Sequence, residues 1–313
     1  VVPDALLARD ENQETRRLLL RDGLEYLCFC GTVFNANVST IIFAAAKGSK
    51  SSEVLCEVLD ENTGQARFTC NKERFLSDPK QRFLIHLSDE EAKFLSRIEN
   101  ACEPLKSFVR ISRGEEVGKK EVLSEGPIPI LVGSDISRYF VQQPSRFIHA
   151  IKKDAALYQA PKIVMLKTGY RCNVGLDAVG YTTMQSVYNV HIIQSQIAYE
   201  TLLALLNSRF VYYYVYKTFT SYKGLFPQLN QSTVEEIPVP INIHEEQSEL
   251  ISCVQNILYL HQELKSAKNA QEVDLIRSQI DVIDKEIDQS IYRQYGLTLE
   301  EINIIESNLK GMV

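Results

Sequence analysis

Between Leu202 and Pro240 the chain reads LLALLNSRFVYYYVYKTFTSYKGLFPQLNQSTVEEIPVP: an apolar helix, a tyrosine-dense end, a basic turn and a proline-closed strand. No other stretch limits the fold so tightly. Helical spacing spreads Tyr212, Tyr213, Tyr214 and Tyr216 around the axis, so at least half of them must pack in a core. The surrounding region is unusual too. Ten of the fifteen tyrosines lie from Tyr158 to Tyr222, interleaved with Lys162, Lys167, Arg171, Arg209, Lys217 and Lys223, and Lys153 comes just before. Cations among aromatics can hold a phosphate backbone while flat rings touch sugars and bases.

Charge divides the chain. Residues 101–242 hold fifteen bases and eleven acids, a net of +4, whereas 243–313 hold six bases and thirteen acids, a net of −7. The formal net charge of −6 therefore hides a mildly basic middle and an acidic tail. A freely sliding DNA binder is normally more basic overall, so either the phosphate contacts are few or much of the grip lies on a partner. The seven cysteines form no CxxC pair and have no histidine cluster nearby, which argues for reduced thiols in a cytoplasmic protein and against a metal site. Cys28 and Cys30 share one face of a strand, where small buried side chains are expected. No signal peptide or membrane-crossing segment is evident. The first residue is Val1, in mid-pattern, which reads as a cut from a longer protein.

With 313 residues there is room for two or three domains. NQETRRLLLRD reads as a helix ended by Gly23, and GLEYLCFCG and VSTIIFAAAKG read as apolar strands of a sheet covered on both faces, joined by TVFNAN. EVLCEVLD and QARFTCN flank ENTG as a hairpin. Ser88 and Glu91 form a capping box ahead of Phe94, Leu95 and Ile98 on one helical face. From Phe108 onward short strands alternate with charged turns, and EEIPVPI closes the region as an edge strand. Leu250, Val254, Ile257, His261 and Leu264, then Ile276, Ile280, Ile283, Ile287 and Ile291, follow three-and-four spacing and predict an antiparallel helical hairpin. Gly296 ends the second helix, and Thr298 with Glu301 starts a third.

This ordered set resembles the C-terminal part of adenine-specific DNA methyltransferases of type II and type IIG restriction–modification systems. GTVFNANVSTIIFAAAKG resembles the last strands of their catalytic domain, RISRGEEVGK and PILVGSDISRYF the start of a target recognition domain, and KIVMLKTGYRCNVGLD with GYTTMQSVYNV its reading hairpin. LLALLNSRFVYYYVY and FPQLNQSTVEEIPVPI resemble its closing helix and strand, and IYRQYGLTLEEINIIE the family's tail. The resemblance implies an α+β chain. Residues 1–87 are expected as a partial α/β methyltransferase-like segment and 88–108 as a connecting helix. A mixed α/β target recognition domain is expected over 109–242, and a helical hairpin with a short terminal helix over 243–313. The family's catalytic tetrapeptide, an Asn, Asp or Ser followed by Pro-Pro and an aromatic, occurs nowhere in the sequence, nor does a glycine-rich cofactor loop. The chain itself is therefore expected to carry no catalytic, cofactor or metal residue. S-adenosylmethionine is expected on the full-length enzyme, a site-specific DNA adenine methyltransferase with endonuclease activity left open.

On this resemblance the DNA-binding candidates fall into three groups. Lys167, Thr168, Tyr170 and Arg171 follow the strand KIVML on a turn, with Gly169 allowing close approach to a phosphate or a guanine edge. Tyr181, Thr182, Thr183, Gln185 and Ser186 form a polar loop in which Gln can pair with adenine and Thr can touch a thymine methyl. Lys217, Tyr222 and Lys223 follow the tyrosine-rich helix, where cations also simply complement the helix dipole. Arg113 is a weaker candidate on a charged turn. For each group the plainer alternative is a solvated or locally bonded turn. Expected partners are double-stranded DNA and a methyltransferase domain outside the chain, with no membrane, and self-association through 243–313 is kept open. The alternatives are a stand-alone specificity subunit docking on a separate methyltransferase, or an interaction module working through the helical tail.

Overall fold

Ser88 and Glu91 do start a helix: Glu91 N donates to Ser88 Oγ at 3.1 Å and Ser88 N donates to Glu91 Oε2 at 2.7 Å. The structure, a computed structural model, describes residues 1–31, 33, 38–60, 64–169, 172–219, 228–245 and 247–310. The expected turns at TVFNAN, apart from Val33, and at ENTG, apart from Gly64, lie outside the described residues. The chain divides into two compact units, Val1–Asn100 with Tyr214–Gln228, and Ala101–Tyr213 with Leu229–Val313.

Unit 1 contains β1 (Val2–Pro3), α1 (Ala5–Ala8), α2 (Gln13–Asp22), β2 (Leu24–Gly31), β3 (Thr40–Ala45), β4 (Glu53–Asp60), β5 (Gly64–Asn71), α3 (Glu73–Leu76) and α4 (Asp89–Ala101), with the last helix overlapping the boundary by one residue. Its sheet runs β1-β3-β2-β4-β5, with β2 and β4 parallel and the other pairs antiparallel. Gly23 ends α2 at φ +106°, where an added Cβ would lie 2.2 Å from the Ala46 carbonyl oxygen, so only glycine fits. Arg16 on α2 is fully buried, and it donates to the backbone oxygens of Leu6, Arg9, Lys80 and Gln81 at 2.8–3.1 Å. Those four acceptors are what make an interior guanidinium tolerable. Strand β2 is covered much as its sequence predicts, but β3 exposes Ile42, Ala44 and Ala45 within unit 1. Cys28 is buried and Cys30 half-buried, with their sulfurs 3.6 Å apart.

Unit 2 follows with β6 (Cys102–Pro104), β7 (Val109–Arg113), β8 (Ile128–Leu131), β9 (Phe147–Ile148), β10 (Lys162–Leu166), β11 (Val174–Asp177), β12 (Thr182–Thr183) and β13 (Val187–Ile192). Then come α5 (Tyr199–Asn207), α6 (Arg209–Thr218, whose residues from Tyr214 onward belong to unit 1), α7 (Gln231–Val234), β14 (Pro238–Pro240), α8 (Gln247–Ser266), α9 (Ala270–Gln294) and α10 (Leu299–Leu309). A four-stranded antiparallel sheet, β11-β10-β13-β7, is its centre, with a smaller sheet β12-β8-β9 beside it. Among the described residues the proline strand β14 pairs with β6, in a two-stranded sheet, which suits its missing donors.

The long apolar helix predicted from Leu202 is in fact two. Ser208 has an extended ψ of 154°, its Oγ accepts from Val211 N at 3.2 Å, and Asp288 Oδ1 accepts from Arg209 N at 2.8 Å. A side-chain cap plus a carboxylate on a helix start satisfies the donors that the break exposes. Tyr212, Tyr213 and Tyr214 are buried and Tyr216 is half-buried, so these rings are mostly core. Within unit 2 the hairpin α8–α9 packs on α5, and Arg138 binds Asp284 of α9 through both guanidinium nitrogens. The Tyr139 hydroxyl also donates to Asp284, at 2.6 Å. The tail is thus fastened to the sheet-bearing region of its own unit.

Candidate nucleic-acid interface

Antiparallel register decides which chain ends meet. Leu166 of β10 pairs with Val187 of β13, Arg113 of β7 pairs with Tyr188, and Met165 pairs with Val174 of β11. The last residues of β7 and β10 and the first of β13 and β11 therefore share one end of the sheet. Beyond that end the ladder is continued by Gly114 N to Val187 O (3.1 Å), Lys167 N to Ser186 O (2.9 Å), Glu115 N to Thr183 O (2.7 Å) and Gln185 N to Glu115 O (2.8 Å). Five of the sequence candidates, Arg113, Lys167, Thr168, Gln185 and Ser186, are brought together here although 73 positions separate the first from the last.

Tight packing holds this edge. Gly114 has room for no side chain: a Cβ would lie 2.2 Å from Thr183 O and 2.4 Å from Met184 O. Glu115 is fully buried, and its carboxylate accepts from Lys152 N (3.2 Å), Lys153 N (3.0 Å) and the Tyr158 hydroxyl (2.9 Å). That carboxylate folds the segment around Lys152 back against β7. Burial, then the bond to Glu115, pushes the Tyr158 phenol well above its ordinary range. Lys153 Nζ in turn donates to Gly114 O (2.7 Å) and Arg113 O (3.2 Å), which adds a third cation to the edge. Gln185 Oε1 accepts from Val117 N at 3.1 Å, so its amide is oriented before any ligand arrives. The Arg113 side chain is exposed and lies 4.0 Å from Glu116.

At the opposite end of the sheet lies a neutral anchor. Lys162 and Asp177, both fully buried, form an ion pair, and Lys162 Nζ also donates to Tyr158 O (3.1 Å) and Tyr181 O (2.9 Å). Asp177 accepts further bonds from the backbone nitrogens of Val179, Gly180 and Tyr181 at 2.8–2.9 Å. Burial pulls the Lys162 ammonium below its ordinary range, against the opposing pull of Asp177.

The remaining candidates are placed differently. Tyr181 packs on the apolar cluster of Leu131, Ile136, Val164 and Val187. Thr182 and Thr183 are buried, and Thr183 Oγ1 exchanges hydrogen bonds with the Asn189 amide. Lys217 belongs to unit 1 and pairs with Glu91 at 2.7 Å, with little exposure on either side chain. Tyr170, Arg171, Tyr222 and Lys223 lie outside the described residues. Sequence reasoning missed Glu115, which looks no different from its neighbour Glu116 in RGEEVG, and the roles of Lys153, Lys162 and Asp177. Among the described residues there is no group of three or more His, Cys, Asp or Glu able to hold a metal, and no helix long and apolar enough to cross a membrane.

This sheet end thus carries three cations, one of them, Arg113, beside Glu116, together with the oriented Gln185 amide. Residues 128–239 match the family of the TaqI-like C-terminal specificity domain. Residues 128–239 are therefore similar to a target recognition domain of the restriction–modification kind, a sequence-specific DNA recognition module, as the sequence resemblance implied. The fold of nearly the whole chain is similar to that of the type IIL restriction–modification enzyme MmeI, solved in complex with DNA, at 12% identity and a TM-score of 0.54, covering 99% of this chain and 49% of that one. The type IIG restriction endonuclease BpuSI (12% identity, 94% and 47% covered, TM-score 0.36) also matches. So does the HsdS subunit from Thermoanaerobacter tengcongensis (15% identity, 64% and 51% covered, TM-score 0.37). The chain spans about half the length of the solved structures it matches. Comparison with curated proteins finds no match.

Proposed function

We propose that unit 2 lays the Arg113–Lys167–Ser186 end of its sheet against duplex DNA. Arg113, Lys153 and Lys167 take phosphates and fix register, while Thr168, Gln185 and Ser186 face base edges in the major groove. The observation that carries this reading is the convergence of those residues at one rigid sheet end. Thr182, Thr183 and Tyr181 serve it from beneath, as packing. Positioning the duplex lets a methyltransferase domain outside this chain flip an adenine and methylate its amino group from S-adenosylmethionine. A bacterial cytoplasmic setting goes with that role, and the seven free thiols support it.

The test is a titration of a fluorescent duplex at several salt concentrations. Three phosphate contacts give a log–log slope of about −2.7, so affinity falls roughly 40-fold between 50 and 200 mM salt. Lys167→Ala should flatten the slope by about one. Absence of binding at low salt, or binding indifferent to salt, would overturn the reading.

A further inference from the structure

We propose that the outer face of the α8–α9 hairpin pairs, antiparallel, with the same face of a second copy of this chain. Near the sheet, the hairpin's stripe is buried at Leu250, Val254, Ile257, Ile287 and Ile291. Further out the same periodic stripe is left half-covered: Leu264, Ile276, Ile280 and Ile283 are only partly buried. Beside them Tyr259, Leu275 and Val282 are 59%, 62% and 52% exposed. An open groove of about 380 Å³ runs between the two helices here, with Asn256, Tyr259, Ser278, Gln279 and Val282 on its walls and no charged side chain. A groove of that chemistry suits an amphipathic helix and gives a phosphate backbone nothing to bind.

The occupant follows from the pattern on α9. Glu272, Leu275, Ser278, Gln279, Val282 and Lys285 are all exposed; Leu275 lies three and four residues before Ser278 and Gln279, Val282 four and three after them, and Glu272 and Lys285 three residues beyond at either end, so they form one stripe beside the groove. That stripe complements its own reverse. With a two-fold axis between Ser278 and Gln279, Leu275 falls opposite Val282, Ser278 opposite Gln279, and Glu272 opposite Lys285, each pairing occurring twice. A parallel arrangement would set Glu272 against Glu272 and Lys285 against Lys285. Self-complementarity under a two-fold axis is the condition for an isologous contact. At the start of α9 the Glu272 carboxylate accepts from Lys268 N at 2.8 Å and from Asn269 Nδ2 at 3.0 Å, which holds its charge at the rim of the stripe. Tyr259, on the neighbouring helix, borders the groove into which the partner's α9 would settle.

A seam of two exposed apolar side chains per copy with two ion pairs is expected to give a weak dimer, with a Kd on the order of 10 µM. It stands whether or not unit 2 reads DNA. Sedimentation equilibrium of the whole 313-residue chain from 1 to 100 µM should show a monomer–dimer equilibrium. The double variant L275D/V282D should raise Kd at least tenfold with an unchanged circular dichroism spectrum, because both side chains are exposed. Register is read by mixing Q271C chains with E286C chains under mild oxidation. Positions 271 and 286 face each other only in the antiparallel pairing, so the mixture should give a covalent dimer that neither variant gives alone. A monomer at 100 µM, a dimer indifferent to L275D/V282D, or Q271C chains that crosslink with one another would each overturn the proposal.

Discussion

Replacing Asp177 with alanine strips the carboxylate from a buried ammonium. Lys162 would keep two partners, the carbonyl oxygens of Tyr158 and Tyr181 at 3.1 and 2.9 Å. Breaking a buried ion pair from one side costs about 3–5 kcal/mol, because the remaining charge is left uncompensated. The backbone nitrogens of Val179, Gly180 and Tyr181 also lose their acceptor. Val179 is 69% exposed, so water reaches this turn and the added cost is about 1 kcal/mol. A total loss of about 4–6 kcal/mol is expected for unit 2, read by urea unfolding at pH 7. The deficit has a pH signature with a definite sign. Burial holds the Lys162 pKa below its ordinary value, and losing Asp177 lowers it further. Above that lowered pKa the unfolded chain holds more protons than the folded one, so stability rises with pH. The deficit of D177A should therefore shrink between pH 7 and pH 9. K162M, which leaves Asp177 its three backbone donors, should cost less than D177A. A D177A chain within 1 kcal/mol of the parent, or a deficit equal at both pH values, would refute the reasoning.

Other outcomes follow from the same packing. Gly114→Ala would drive a Cβ to 2.2 Å from Thr183 O, and should cost about 2 kcal/mol or more in urea unfolding while weakening DNA binding at the adjoining edge. Asp288 is pushed up to about 7, chiefly by burial, so its cost to the folded state grows as pH rises from about 4 to 7 and is complete above that. D288N, which can still accept from Arg209 N, should gain on the order of 2–4 kcal/mol at pH 8 and almost nothing at pH 4. Glu91 serves both the Ser88 capping box and the pair with Lys217, so E91A should cost about 2–4 kcal/mol in thermal or urea unfolding.

Local signals in the sequence proved the most durable. Ser88 with Glu91 and Thr298 with Glu301 give reciprocal caps where the spacing predicts them, because both partners lie within one helical turn. Strands β10 and β13 coincide with KIVML and VYNVHI, whose apolar runs leave little choice of partner face. The break at Ser208 was not legible, since the carboxylate that caps the second helix comes from Asp288, eighty positions later. The site shows the same division. Lys167, Thr168, Gln185 and Ser186 can be found from their turns, but their meeting with Arg113 depends on register between strands far apart in sequence. Thr182 and Thr183 carry the same chemistry as their neighbours in YTTMQS, and only the strand pairing of Thr182–Thr183 with β8 buries them. Glu115 is set apart from Glu116 solely by the segment that folds onto it.

One end of the unit 2 sheet is thus proposed to read DNA sequence. The most direct test is selection of duplexes from a random library by the whole chain, followed by sequencing, in parallel with the Q185A/S186A variant. The account predicts that the parent enriches a defined short motif, and that the variant still binds DNA but relaxes selectivity at one or two positions within that motif. Retention of duplexes without enrichment of any motif, or an identical motif from parent and variant, would contradict it.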